Sequence, residues 1–317
     1  MTILVGYPPG QQGRSALELG AMLARSFGTD LVVTTVVPAP WLTNTAQVDA
    51  EYLQQMGQVA EEALEQARAQ TPTDVSSRFV RRQARSGPSG LLEAAAEHDA
   101  TMIVLGSSTA GMFGHITMSS VASRLLHSSP LPIALATRGF RCPEGVRVSR
   151  VTVAYGGTQR DEALVAAARL VASRVEASLR LALLAVQARP PVNARFGVEA
   201  DDVAAVWTAD MQASARRVLA QQGVSQRVAP QPPGGHQHLE VDDLEIVVGQ
   251  GISWGEALDD IGWEHSDVLT VGSGSAGAIS RVFLGSRAAK IIRDSPVPVV
   301  VVPRVAAAAE LAKGADD

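Results

Sequence analysis

Lysine is nearly absent: among 27 basic residues only Lys290 and Lys313 are not arginine. That bias reflects genome composition more than function. Cysteine occurs once, at Cys142, so no intrachain disulfide can form, and a reducing cytoplasm is the expected setting. Aromatic residues make up only 4%, so the core must be built from alanine, valine and leucine. There is no basic tail and no long run of one charge, and the net charge is −5. Those absences argue against nucleic acid as a partner. The longest apolar run, around Pro296 to Pro303, is far shorter than the roughly 20 residues that span a bilayer, so no membrane association is expected. The opening MTILVGYPPG has neither a basic segment nor a long apolar core, so no signal peptide is expected.

What is present is 317 residues, 46% of them apolar, enough for two ordinary domains. The chain repeats itself. Ile103-Val-Leu-Gly-Ser-Ser-Thr109 matches Leu269-Thr-Val-Gly-Ser-Gly-Ser275. Without a gap, Met118-Ser-Ser-Val121 then meets Leu284-Gly-Ser-Arg287, and Ser129-Pro-Leu-Pro-Ile-Ala-Leu135 meets Ser295-Pro-Val-Pro-Val-Val-Val301. The starts also agree, Ile3-Leu-Val-Gly-Tyr7 against Val151-Thr-Val-Ala-Tyr155. A tandem duplication is the simplest explanation.

Periodicity gives each half the order β-α-β-α-β-α-β-α-β. Strands are expected near 2–7, 30–37, 77–85, 101–106 and 131–137, with helices near 14–27, 46–70, 89–98 and 119–128. In the second half, strands are expected near 150–155, 178–186, 244–249, 267–272 and 297–303, and helices near 161–174, 200–222, 255–264 and 285–293. Strands alternating with helices imply a doubly wound, mostly parallel sheet covered on both faces. The expected domains are 1–139 and 150–304, with a linker at 140–149 and a tail at 305–317. Residues 221–243, which include Pro230-Gln-Pro-Pro-Gly-Gly235, read as a long loop.

Gly272-Ser273-Gly274-Ser275-Ala276-Gly277 matches the GxGxxG of a dinucleotide-binding turn. In such a domain the turn follows the first strand, and an acid lies about 20 residues on at the tip of the next strand. Here the loop follows the fourth strand of its unit. The next strand ends in Pro303-Arg304, and Asp294 falls before it. The dehydrogenase match is accidental.

The two copies together resemble the universal stress protein family in its tandem form, over nearly the whole chain from Ile3 to Pro303. The family motif is Gly-x2-Gly-x9-Gly-Ser/Thr, followed by a helix and a proline-flanked, valine-rich strand. The second half has Gly272-x2-Ser275-x9-Gly285-Ser286 and the first has Gly106-x2-Thr109-x9-Ser119-Ser120. The resemblance implies two five-stranded parallel sheets of order 3-2-1-4-5. It also implies ATP or a related adenine nucleotide in the crevice between strands 1 and 4. The residues implied at such a site are Gly272, Ser273, Gly274, Ser275, Gly285 and Ser286 in the second half, facing Gly156 and Gly157, and Gly106 and Ser120 in the first. Glycines admit phosphate close to backbone N–H groups, and a helix N-terminus attracts it.

This sequence departs from the family pattern in two ways. The aspartate that ends strand 1 in nucleotide-binding members is replaced by Pro8 and by Gly156. Thr109 and Ser119 replace two glycines in the first half, so that loop is expected to be degenerate. Restoring the acid with Gly156→Asp is expected to tighten ATP binding.

Other residues carry blander readings. His236-Gln-His238 lacks a third ligand and reads as a solvated loop, so no metal site is expected. His98, His115, His127 and His265 form no nucleophile–base arrangement. Arg78, Arg81, Arg82 and Arg85 sit on an expected edge strand, where charge discourages sheet-to-sheet pairing. Trp254 and Trp263 read as packing residues. The expected function is a non-catalytic stress-response regulator. Unidentified protein partners, an intrachain pairing of the halves through their fifth strands, and an optional homodimer accompany it. A ligand-free scaffold and a slow ATPase are the alternatives, although no Walker lysine or positioned base supports the latter.

Overall fold

A computed structural model of the chain describes residues 2–9, 13–39, 46–186, 209–218, 239–241, 244–273 and 285–303. The first half runs β1 (Thr2–Gly6), α1 (Arg14–Phe27), β2 (Asp30–Pro38), α2 (Ala46–Gln70), β3 (Ser77–Ala84), α3 (Gly87–Glu97), β4 (Ala100–Leu105), α4 (Ser120–Ser128) and β5 (Ile133–Leu135). The second runs β6 (Arg150–Ala154), α5 (Gln159–Arg174), β7 (Ser178–Val186), the helical residues 209–218 (α6), β8 (Leu239–Val241), β9 (Leu244–Gly251), α7 (Trp254–Asp259), β10 (Asp267–Gly272), α8 (Ser286–Asp294) and β11 (Val299–Val302).

The eleven described strands join one sheet of order β3-β2-β1-β4-β5-β11-β10-β6-β7-β9-β8. Each half therefore has the order 3-2-1-4-5, with parallel pairing among its five main strands. The halves meet where β5 runs antiparallel to β11, with Leu135 opposite Val299 and Ile133 opposite Val301. Because that one junction is antiparallel, the carboxyl ends of the strands in the two halves point in opposite directions.

The sheet buries both faces. Alternation sends Ile3, Val5 and Tyr7 into one core with α1, α5 and α6, and Leu4 into the other with α3, α4, α7 and α8. Such continuous apolar strands are the mark of a sheet covered on both sides. The third strand of the first half does lie at an edge, and its arginines are ion-paired to the covering helices: Arg81 to Glu61 of α2, Arg82 to Glu93 and Glu97 of α3. The third strand of the second half is not an edge. β8 pairs antiparallel with β9, Glu240 opposite Glu245, so part of the stretch read as a loop covers that side of the sheet. Its remainder, with His236 and His238, lies outside the described residues, as does the tail.

The linker is fastened rather than loose. Arg25 of α1 donates through Nε and Nη2 to the carboxylate of Asp74, at 2.6 and 2.9 Å, and through Nη1 to the carbonyl of Val146 at 3.1 Å. Asp74 also accepts the Gly145 N–H at 2.9 Å, and Ser26 Oγ accepts that of Val148. From the second half, His265 Nε2 donates to the Arg141 carbonyl at 2.5 Å, and its ring stacks on Phe140 at 5.7 Å. Cys142 is buried beside Arg25, and desolvation pushes its thiol pKa up.

Candidate functional site

In a doubly wound sheet the ligand crevice opens outside the carboxyl ends of the strands, where the chain turns away in opposite directions on either side of strand 1. Here that places it between β1 and β4 in the first half, and between β6 and β10 in the second.

The first half's side of the sheet ends in a buried tyrosine and a loop that bonds to itself. Tyr7, one residue past β1, is 1% exposed, and its ring packs so tightly under Gly13 that a Cβ there would lie 2.1 Å from it. The loop from Gly106 to Ser119 folds on itself. Ser108 N–H donates to the Thr117 carbonyl at 2.8 Å, and Thr117 N–H donates to Ser107 Oγ at 2.8 Å. Ser119, where the family motif has glycine, turns its hydroxyl onto the helix it precedes and accepts the Ala122 N–H at 3.1 Å. The α4 start thus carries a side-chain cap of its own, and Ser120 begins the helix. Thr109 is exposed.

The second crevice is built differently. Ser273 continues β10, donating its N–H to the Val302 carbonyl at 3.1 Å. Gly285 is the N-cap of α8 and brings no side chain to it. Gly285 therefore offers the first N–H groups of that helix no side-chain acceptor, and among the described residues Arg287 and Lys290 add positive charge with no acid in the first turn. Uncapped N–H groups aligned with the helix dipole favour an anion. Gly274 and Ser275, between these two arms, lie outside the described residues.

Opposite them, Gly156 and Gly157 follow β6. Gly157 has φ +75°, a conformation side chains disfavour. Gly156 has no side chain to accept a hydrogen bond, yet the place above it is occupied. Asp161, in the first turn of α5, turns its carboxylate back over the loop. Its Oδ2 accepts from Thr158 Oγ1 at 2.8 Å, Thr158 N–H at 2.9 Å and Gly156 N–H at 3.2 Å. A Cβ on Gly156 would lie 3.3 Å from that oxygen. An aspartate at 156 would set a second carboxylate against the first, so the tightening expected of Gly156→Asp is withdrawn. The sequence did carry a signal for Asp161, because Thr158-x-x-Asp161 has capping-box spacing. Behind the glycines, Tyr155 is buried, with its hydroxyl 3.2 Å from Ser214 Oγ; burial is the main cause of its raised pKa.

Of the expected site residues, the structure thus gathers Gly272, Ser273, Gly285 and Ser286 on one side of the second crevice, with Gly156 and Gly157 on the other. Gly106 and Ser120 belong to the closed first loop. Among the described residues, no group of three His, Cys, Asp or Glu side chains could hold a metal ion, and no helix is long and apolar enough to cross a membrane.

A second polar cluster lies at the opposite end of the same strands. Asp267, the first residue of β10, is fully buried, as is Arg180 of β7. Arg150 Nη2 and Arg180 Nη2 donate to Asp267 Oδ2 at 2.9 and 3.3 Å, and the Glu264 N–H reaches it at 3.0 Å. Arg180 also donates to Thr152 Oγ1 and to the Gly262 carbonyl, and its guanidinium lies 4.8 Å from the Trp263 ring centroid. Desolvation lowers the Arg180 pKa. Trp263 donates to the Leu258 carbonyl at 2.7 Å, and both it and Trp254 pack on the core. Every group is matched within the protein, so this cluster is scaffold.

The family model that describes the universal stress protein family matches residues 1–136 and, again, 148–303. A universal stress protein of Mycobacterium tuberculosis is 34% identical over 308 residues, covering 96% of this chain and 100% of the relative. A crystal structure of a universal stress protein from Archaeoglobus fulgidus overlays with a TM-score of 0.56 at 20% identity, covering 95% of this chain and 98% of that one. A putative universal stress protein from Pseudomonas aeruginosa overlays with 0.53 at 14% identity, covering 99% and 97%. At such identities the two structures speak for the fold alone. The twofold family match and the full-length relative settle the assignment: the chain belongs to the universal stress protein family, as a tandem two-domain member.

Proposed function

We propose that this protein is a non-catalytic, cytoplasmic stress-response regulator that binds one adenine nucleotide, in the crevice of its second half. The observation that carries this reading is the contrast between two equivalent helix starts. Ser119 caps α4 with its own hydroxyl, whereas Gly285 leaves the N-terminus of α8 without a side-chain cap. An uncapped helix start beside basic residues, opening onto the switch-point crevice, is a seat for phosphate. No described residue is placed as a general base beside it. Solved universal stress proteins in complex with cAMP and with dAMP overlay this chain with TM-scores of 0.27 and 0.25. Those ligands are properties of those proteins, and support here comes from this chain's own residues.

Gly285→Asp tests the reading. Gly285 has φ −63° and ψ 153°, which any residue adopts, and aspartate is a strong N-cap. The variant should keep or raise the melting temperature while its carboxylate takes the phosphate seat. Titration calorimetry with ATP should show about one site per wild-type chain and none in the variant, with no hydrolysis in either. Unchanged binding in Gly285→Asp refutes the site. The ligand-free scaffold draws support from the first half, where the loop bonds to itself and Met112 and Phe113 stand 70% and 73% exposed on it.

A further inference from the structure

We infer that Met112 is the site at which peroxides modify this protein, through reversible oxidation of its thioether to the sulfoxide. The inference is independent of the nucleotide reading above. The chain's one cysteine, Cys142, is a poor target: it is buried, and the thiolate, not the thiol, is the nucleophile. Desolvation raises its pKa despite the Arg25 guanidinium beside it. A thioether needs no deprotonation, so access to its sulfur decides where oxidation falls. Among the described methionines, Met22 is buried and Met56, Met102, Met118 and Met211 are partly buried. Met112 stands 70% exposed.

That exposure is built into the fold. Residues 112–115 form a turn in which the His115 N–H points back to the Met112 carbonyl at 3.4 Å, and Gly114 takes the left-handed conformation at φ +81°. The Gly114 N–H donates to the Arg138 carbonyl and the Arg138 N–H to the His115 carbonyl, both at 2.9 Å. The Arg138 side chain donates to the Gly111 carbonyl and lies 5.5 Å from the Phe113 ring centroid. The chain is thus fastened on both sides of Met112, while the Met112 side chain packs into neither core. With Phe113 it forms an apolar tip. In the reaction the sulfur lone pair attacks one oxygen of hydrogen peroxide, the O–O bond breaks, and the second oxygen leaves as water. Sulfur loses two electrons and the peroxide gains them. The product is polar, and methionine sulfoxide reductases return it to the thioether. Oxidation therefore exchanges an apolar tip for a polar one and leaves the core untouched.

The test exposes the folded full chain to hydrogen peroxide and maps its peptides by mass spectrometry. Met112 should gain oxygen at least about five-fold faster than any other described sulfur, and denaturant should abolish that preference. Oxidised wild type should elute earlier from a hydrophobic-interaction column and melt within a few degrees of untreated protein. Methionine sulfoxide reductase should restore its retention. Met112→Leu, an apolar exchange of similar volume, should keep the same retention before and after peroxide. Faster oxidation at Cys142 or another described methionine, a preference that survives denaturant, or peroxide-sensitive retention in Met112→Leu overturns the inference.

Discussion

Removing the Asp267 carboxylate should cost more stability than any other single change to a charged side chain described above. Asp267 is 0% exposed and Arg180 1% exposed. Two guanidinium groups share the one carboxylate, and the nearest other acids, Glu264 and Glu245, lie toward the rim on Arg150. In Asp267→Ala, Arg150 keeps those partners, but Arg180 keeps only neutral ones, Thr152 and the Gly262 carbonyl. Breaking a buried pair from one side costs about 3–5 kcal/mol, mostly because a charge is left buried and unmatched. At roughly 2–4 °C per kcal/mol, melting should fall by about 6–20 °C. Circular dichroism melts of three proteins isolate the cause. Asp267→Ala carries the full loss. The double variant Asp267→Ala/Arg180→Met should regain much of it, since the stranded cation is gone. Asp294→Ala, which touches only the exposed pair with Arg293, should change stability by less than about 1 kcal/mol. If Asp267→Ala melts within 2 °C of wild type, or if adding Arg180→Met only deepens the loss, uncompensated charge is not the reason.

Two further outcomes follow from the linker and the sheet. The side-chain hydrogen bond from Arg25 holds the Asp74 carboxyl below the usual carboxylate range. A depressed folded pKa adds stability that is fully present above the unfolded value of about 3.9 and is lost as pH falls through the folded one. Asp74→Asn should therefore be less stable by about 1–3 kcal/mol at pH 7, with the gap narrowing as pH falls below about 4 in denaturant titrations; a gap that does not narrow at all over that range refutes the linkage. Gly249 of β9 faces α7 so closely that a Cβ would lie 1.9 Å from the Ala257 carbonyl oxygen. Gly249→Ala should cost at least about 1–3 kcal/mol by displacing that helix. Gly255→Ala, with nothing nearer than 3.9 Å, should be neutral or mildly stabilising, and equal melts for the two would refute the close approach.

The duplicated halves and most of their elements are legible in the sequence, because strand and helix periods differ and the two copies check each other. α1 and α2 fall at 14–27 and 46–70 as their periodicity indicates. β8 is not legible, because three residues beside a Pro- and Gly-rich stretch carry too little pattern, and their strand character comes from pairing with β9. The Arg180–Asp267 pair shows in sequence only as an arginine inside an apolar strand and an aspartate opening another. Eighty-seven positions separate them, and only the order β10-β6-β7 brings them together. Asp161 was visible as half of a capping box. That its carboxylate also fills the space over Gly156 depends on the loop's geometry, which spacing does not encode.

The antiparallel junction also gives the first half a structural task of its own. β11 is a run of four valines, and as a free edge it would offer unpaired backbone and apolar side chains for association with other chains. β5 covers it within the same chain. The reversal of direction at that junction sets the two crevices at opposite ends of the sheet, and the buried Asp267 cluster therefore lies at the end where the first crevice opens. A ligand in the second crevice is thus far from the closed loop of the first, and any influence between them must pass through the shared sheet and the linker that Arg25 fastens. The first half therefore completes the second through β5, whatever its own loop does.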